Sequence, residues 1–557
     1  MRGLVWLLVI GLLLAIHAVF IQAGISPVLN GAMPDSDTYM RLVRVESLIG
    51  GQDWFDSTIE RMNAPEGDVL NWTRPLDVLL LAGAYPLHHW QGMEWHEALF
   101  WSGAALPVLL HILMGLAVVW AFAPLLPKGG LGPLVFLVAT VQPVMLAYNM
   151  AGRPDHQTLL LIAAVMMLGH LVREQAGTHP RLRSAIEAGL WAGFGLWVST
   201  EFQFTFVIVT GTLALLWLET GDIRLLRALE GLALGFFTLT GLAMLAERGG
   251  DWATVRELDK VSLSHTLGAA VNCGIWGFVM GQARDGGLMR RLVVLLLFGA
   301  LGVLGIAFFA PELLRGPAGD IDPRVMREFF LHIREMKPLL PVDAVTVLWL
   351  GTPLLALPLW LSVQKRLPLV WMPLFVLVAA FTFAALLHAR FAQFAAPLGA
   401  VLLVKAARHW NSAVARAALV IAPLLAGFAL IGLYPPDKPE QADCSVAAIA
   451  DELEKQPKGI VLAALNYGPE LLWRTGHSVV AGPYHRNRDG ILDTLDFMEK
   501  GSRSILARRG VEYVLACPAD KGAFAQKLLA GEGPGWLKPV SLSLNSDFRL
   551  YRVDLGH

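Results

Sequence analysis

The sequence predicts a mainly α-helical polytopic membrane protein with a carboxy-terminal soluble α/β domain, and three observations carry that prediction. The chain of 557 residues is 55% hydrophobic and only 16% charged, against about 25% charged in a soluble globular protein. Apolar runs of about 20 residues, the length that crosses a bilayer as a helix, recur from residue 4 to residue 434. Beyond Pro435-Pro436-Asp437-Lys438-Pro439 charge returns and the apolar runs shorten. A formal net charge of −1 supplies no global basic field, which excludes nucleic acid as a partner. Three cysteines exclude a disulfide scaffold and a cysteine-rich metal cluster.

Residues 1–22 hold Arg2 followed by an apolar run longer than the roughly 7–15 residues of a signal-peptide core, so they read as an uncleaved first helix. Further spans are expected near 99–122, 131–148, 157–172, 186–199, 203–218, 228–246, 266–283, 292–309, 345–363, 368–387, 391–405 and 414–434, for a total of about thirteen helices. With the amino terminus cytoplasmic, Lys128, Arg173, Arg181, Arg183, Arg224, Arg227, Arg284, Arg290, Arg291, Lys365, Arg366, Lys405, Arg408 and Arg416 all fall inside. That satisfies the positive-inside rule. The membrane domain is then 1–435, with outer segments 23–98, 149–156 and 310–344, and the soluble domain 436–557 lies outside. The expected location is the bacterial inner membrane, with the soluble domain periplasmic.

In the soluble domain, apolar runs at 459–464, 478–481, 511–517 and 548–553 alternate with helix-like stretches at 446–455, 489–509 and 521–530. That order suggests an α/β layer fold. Cys444 and Cys517 share the compartment where disulfides persist. They form one bridge or remain two separate thiols, according to whether the fold brings the sulfurs together.

The outer segments carry the acids. Asp35 and Asp37 lie two residues apart after the first span, an arrangement that suits a hard divalent cation and equally an N-cap for a helix starting near Thr38. Asp155, beside His156 and Gln157, opens the next outer segment, where it fits a ligand or a cap. Glu335 stands one turn from His332 in a stretch that also reads as an interfacial helix. Glu201, in a short outer turn, lines a groove or faces headgroups. The span interiors are almost free of Asp and Glu, whereas a transporter places ionisable residues near the midplane. No His-Glu-x-x-His, Gly-x-Ser-x-Gly or Walker pattern occurs.

The order Asp37-Thr38-Tyr39, Arg41 and Arg44, Trp54-Phe55-Asp56, Pro65-Glu66-Gly67, Trp72 and Arg74-Pro75-Leu76-Asp77 resembles the first outer loop of the catalytic subunits of oligosaccharyltransferase, GT-C membrane glycosyltransferases that use polyprenyl-linked sugars. Met150-Ala151-Gly152-Arg153-Pro154-Asp155 resembles the second acidic motif of that family, Ile333-Arg334-Glu335-Met336 its Ile-x-Glu motif, and Arg390-Phe391 with Pro397 its arginine-bearing span. The resemblance implies a GT-C fold in which Asp37, Asp155 and Glu335 are catalytic and hold Mg²⁺ or Mn²⁺, with Gln157 a weaker further candidate in place of an acid or His. It further implies that Arg74, His156 and Arg390 contact donor or acceptor. A bound cation and nearby Arg would stabilise charge on a leaving polyprenyl phosphate or pyrophosphate.

One departure bears on the acceptor. Ala464-Leu465-Asn466 stands before Tyr467-Gly468 where the family has Trp-Trp-Asp, the tripeptide that grips the Ser or Thr of an Asn-x-Ser/Thr acceptor. Sequon glycosylation is therefore not expected. Tyr484-His485-Arg486-Asn487 offers polar donors at a strand end, for phosphate or sugar or simply for solvent. The leading expectation is a metal-assisted glycosyltransferase moving a sugar or glycan from a polyprenyl-linked donor to a glycan, lipid or protein acceptor outside the cytoplasm, with membrane lipid around it. The alternative is a lipid-linked sugar transporter or a non-catalytic protein of envelope polysaccharide assembly, in which the acids merely cap helices.

Overall fold

The structure, a computed structural model, describes residues 2–126, 131–176, 182–283, 286–316, 318–364, 368–433, 444–542 and 547–556. The Pro-rich boundary expected at 435–439 lies outside the described residues.

Helices occupy all thirteen expected segments. Among the described residues, nine are long and apolar enough to cross a membrane, from Gly3–Gln22 to Ala389–Ala407. Leu131–Thr140 and Val414–Gly427 are shorter apolar helices. The segment expected over 131–148 is broken into Leu131–Thr140 and Pro143–Tyr148, because Pro143 lacks the amide that would continue the ladder. The helices Leu182–Val198 and Ile223–Arg248 pack through Gly189 and Gly235. A Cβ at either would collide with the other helix's backbone, at Leu232 O or Ile186 O, the close approach that small residues allow between membrane helices.

The first outer segment folds into the helix Ser36–Ile49, a hairpin of β1 (Thr58–Ile59) and β2 (Asp68–Val69), and the helix Arg74–Gln91. Eight consecutive residues of the first of these, Thr38 to Val45, are buried. Such all-round burial identifies it as a central strut between the membrane helices and the soluble domain.

The carboxy-terminal region forms a five-stranded sheet of β3 (Ile460–Leu462), β4 (Ser478–Val479), β5 (Val511–Ala516), β6 (Leu537–Pro539) and β7 (Arg549–Val553), in the order β4-β3-β5-β7-β6. β3 is parallel to β4 and β5, and β7 is antiparallel to β5 and β6. The helix expected over 489–509 is two, Arg488–Lys500 and Arg503–Arg509, separated at Gly501 with φ +67°. A left-handed residue ends a helix, and glycine adopts that conformation without steric cost. Cys444 and Cys517 form a disulfide with Cα atoms 6.0 Å apart, tying the start of the described domain to the end of β5.

The first outer segment docks on this sheet by backbone pairing. Val479 N donates to Arg61 O at 2.8 Å and Ala64 N donates to Val479 O at 3.0 Å, so residues 61–64 extend the β4 edge. Arg61 donates to the carbonyls of Leu472, Thr475 and His477. The interface therefore fixes the soluble domain directly over the segment that carries Asp37.

Candidate active site

Asp35 and Asp37 divide the two roles that spacing alone leaves open. Asp35 is the N-cap of Ser36–Ile49, its Oδ1 accepting from Thr38 N at 3.0 Å and Thr38 Oγ1 at 2.8 Å. Asp37, in the first helical turn, is not needed for capping and opens into a cavity lined by Asp35, Asp37, Thr38, Arg41, Arg153, Pro154 and Asp155. The surrounding protein, then the charges of Asp35 and Asp155, push its carboxyl well above the usual carboxylate range. The side chain is open to water in the cavity, which screens part of that effect.

Asp155 reaches the cavity because Gly152 takes φ +85°. A Cβ there would lie 2.6 Å from Val28 Cγ1, so the turn that presents Arg153-Pro154-Asp155 requires glycine. Burial alone would raise Asp155, but the neighbouring His156, with Arg153 and Arg41, holds it well below the ordinary range. His156 Nδ1 lies 2.7 Å from Asp155 Oδ1 and 3.3 Å from Arg41 Nη2. Arg41 is buried and stacks 3.7 Å above the Trp72 ring. Burial lowers its pKa to about 10, still leaving it a cation at neutral pH.

Glu335 comes to the same place from the third outer segment. It does not stand free: Arg153 Nη2 donates to Glu335 Oε1 at 2.6 Å while Arg153 Nε donates to Asp35 Oδ2 at 2.8 Å. Asp35, Asp37 and Asp155 thus line one cavity, and Glu335 is tied to its edge through Arg153. Yet among the described residues no three His, Cys, Asp or Glu side chains gather closely enough to hold a metal ion. Asp37 and Asp155 do suit a hard cation, since Mg²⁺ is commonly held by one or two carboxylates together with substrate phosphates. Gln157 is buried and its Oε1 accepts from Gln393 Nε2 at 2.7 Å, so its amide oxygen is committed to helix packing.

The remaining candidates separate. Tyr484 is buried, its hydroxyl donates to Ser36 O at 3.4 Å, and its ring packs edge-to-face on Trp72 at 5.1 Å. His485 and Arg486, read above as free donors, are instead paired with Asp259 at 2.7 Å each, and Arg486 also with Glu257 at 2.7 Å. Asn487 is fully buried and its Oδ1 accepts from Gly482 N. Arg74 is likewise committed, donating to the Trp54 and Asp56 carbonyls and to Asp77. Arg390 pairs with Glu201 at 2.9 Å, beside the Met336 and Lys337 backbone held by His388 and Ala389. Glu201 is thus an ion-pair partner, and a groove position rather than a headgroup contact explains it.

Sequence reasoning missed the role of Arg153, although it quoted the motif. A basic residue directly before a Pro-Asp turn, with Asp35 and Glu335 in two other segments expected on the same side, is the signal that could have found it.

No family model and no curated protein matches this sequence. Among solved structures, the chain is similar to the archaeal oligosaccharyltransferase AglB from Archaeoglobus fulgidus in complex with an inhibitory peptide and a dolichol-phosphate. The TM-score is 0.63 at 15% identity, over 86% of this chain and 64% of that one. The apo form of the Archaeoglobus fulgidus enzyme gives 0.62 at 16% identity, over 87% and 66%. Its complex with Zn and sulfate gives 0.59 at 15%, over 87% and 64%. The chain therefore spans just under two thirds of the length of these proteins, and with them it shares the oligosaccharyltransferase-like GT-C fold.

Proposed function

We propose that this chain is a membrane glycosyltransferase that moves a sugar or glycan from a polyprenyl phosphate or pyrophosphate donor to an acceptor on the outer face of a bacterial inner membrane. The observation that carries the reading is the cavity itself: three acids and two arginines line it, with Glu335 bound to one of those arginines.

Asp37 and Asp155 would hold a divalent cation, Mg²⁺ or Mn²⁺. When bound, such an ion offsets the charge that develops on the leaving phosphate. The chain's own residues do the rest. Arg41, fixed by the Trp72 face, presents a cation to the donor phosphate. His156 holds Asp155 in place through its 2.7 Å contact. The Tyr484 hydroxyl donates to Ser36 O, holding the backbone that carries Asp37.

The acceptor is not an Asn-x-Ser/Thr peptide. Leu465 is buried against Val325, Ala481 and Ile491, and Ala464-Leu465-Asn466 offers neither indole walls nor a carboxylate to a Ser or Thr hydroxyl. Peptides bearing that sequon should remain unmodified, and a glycan appearing on their Asn in a manner dependent on this chain would refute the statement.

The direct test is to incubate the purified protein with polyprenyl-linked sugars and divalent cation, and to follow release of the lipid phosphate. Release should depend on the protein and vanish in chelator. No release from any mono- or pyrophosphate donor, with the protein folded, would overturn the assignment.

A further inference from the structure

The four acids are not equivalent. Asp35 and Glu335 are both paired with the Arg153 guanidinium, at 2.8 and 2.6 Å. The ion pairs among the described residues include none from a Lys or Arg to Asp37 or Asp155; the partner of Asp155 is His156. We propose that Arg153 is a positioning residue, an internal cation that ties Glu335 to Asp35 and so leaves Asp37 and Asp155 as a two-carboxylate cation seat.

The guanidinium is fixed on every side. Its Nε and Nη2 serve two carboxylates from two different outer segments, Nη1 donates to Ala147 O at 3.3 Å, and Cζ lies 4.6 Å from the Tyr148 ring centroid. A planar fork held this way acts as a specific bracket rather than a loose surface pair. Glu335 sits on a single 3-10 turn, Arg334–Met336, between short helical pieces. Nothing in so short an element fixes a side chain by itself, so the bridge to Arg153 orients it. A cation seated on Glu335 would have to share that carboxylate with the guanidinium and meet its repulsion at a few ångströms. Arg41 and Arg153 line the same cavity as Asp37 and Asp155, but neither is ion-paired to those two carboxylates, which are left open to a cation.

The inference rests on the proposed function only in reading the cavity as a cation seat, and its test does not use turnover. Mn²⁺ binding to the detergent-purified full chain is measured by electron paramagnetic resonance and by titration calorimetry. Asp37→Asn and Asp155→Asn should each weaken binding by about tenfold or more. Glu335→Gln should change it by less than about twofold, since the carboxylate it removes is already engaged. Arg153→Met should tighten binding by about threefold or more, because a repelling cation is lost and Glu335 is released; that gain should disappear in Arg153→Met with Glu335→Gln. Both Arg153→Met and Glu335→Gln should speed trypsin cleavage after Arg327 and Arg334. A merely structural role for Arg153 predicts the opposite sign for Mn²⁺ in Arg153→Met. Weakening by Glu335→Gln comparable to Asp37→Asn, weakening by Arg153→Met, or wild-type binding insensitive to Asp37→Asn would each overturn the proposal. If Arg153→Met does not purify, Glu335→Gln decides alone. Intact Mn²⁺ behaviour without lipid-phosphate release would instead count against the glycosyltransferase reading and leave this one standing.

Discussion

Two clusters of charged residues lie where the soluble domain rests on the membrane-side segments, and their charge balance differs. Around Asp259 and Glu257, two acids face Arg248, Arg486 and His485, with contacts of 2.6 to 2.7 Å. Each acid has a partner. Burial would raise Asp259, yet Arg486 and His485 hold it well below the ordinary range. Around Asp37, four acids face two arginines, one of which is committed to Asp35 and Glu335, and the Asp37 carboxyl is pushed up instead. A closed set of pairs fastens two parts of a fold, whereas an open excess of one sign is what a charged ligand completes. The excess of acids over paired arginines separates the site from the fastener, and the raised Asp37 carboxyl marks that excess.

The largest effect expected from that contrast is on turnover. Asp37→Asn removes the charge a divalent ion requires while keeping size and hydrogen bonding, so lipid-phosphate release should fall by about a thousandfold. The unfolding midpoint should move little, since Asp37 is not the helix cap. Full activity in this variant, or in chelator, would break the comparison at its centre.

The fastener should behave in the opposite way. Arg486→Ala leaves Asp259 and Glu257 partly unpaired at a site where the arginine is 19% exposed, and the stability loss should be about 3 kcal/mol. Thermal unfolding in detergent measures it. The folded fraction should still bind Mn²⁺ with wild-type affinity; loss of binding would mean that the two clusters act as one.

A part of these differences was legible before any coordinates. The spans were, because apolar length is a property of sequence alone. That Asp37 and Asp155 come together was expected from the family resemblance and not from spacing, which left Asp35 and Asp37 alike. The pairing of His485 and Arg486 was not, since a basic dipeptide at a strand end reads the same whether its partner is water or the distant Asp259. Arg153 was hidden for the same reason: its bracket depends on Asp35 and Glu335, 118 and 182 positions away. β6 escaped because three residues ending in Pro539 carry no alternation. The disulfide, left open by sequence, is settled by the fold that brings Cys444 to β5.

A smaller effect follows with pH. Asp259 has a folded pKa depressed below its unfolded value of about 3.9. Its contribution is therefore complete above about pH 4 and is lost as pH falls through the lower folded value. Wild-type stability should decline below about pH 4 more steeply than that of Asp259→Asn, which has no such carboxylate to protonate. Equal slopes in unfolding scans between pH 5 and pH 3 would show that the pair contributes nothing.

The smallest effect belongs to Asp35, and it sharpens the contrast within a single tripeptide. Asp35 caps the helix through Oδ1 and meets Arg153 through Oδ2. Asparagine caps about as well as aspartate, so Asp35→Asn keeps the Thr38 amide satisfied. What it loses is one partly exposed ion pair, at a side chain 32% open to solvent, worth about 1 kcal/mol or less. Arg153 still donates to Glu335 and stays in place. Turnover should therefore drop by no more than about threefold, and the unfolding midpoint should shift only slightly. Two carboxylates separated by one serine would then differ by more than a hundredfold in consequence, which helix capping alone cannot produce. Equal losses in Asp35→Asn and Asp37→Asn would assign both residues to the fold and remove Asp37 from the cation seat.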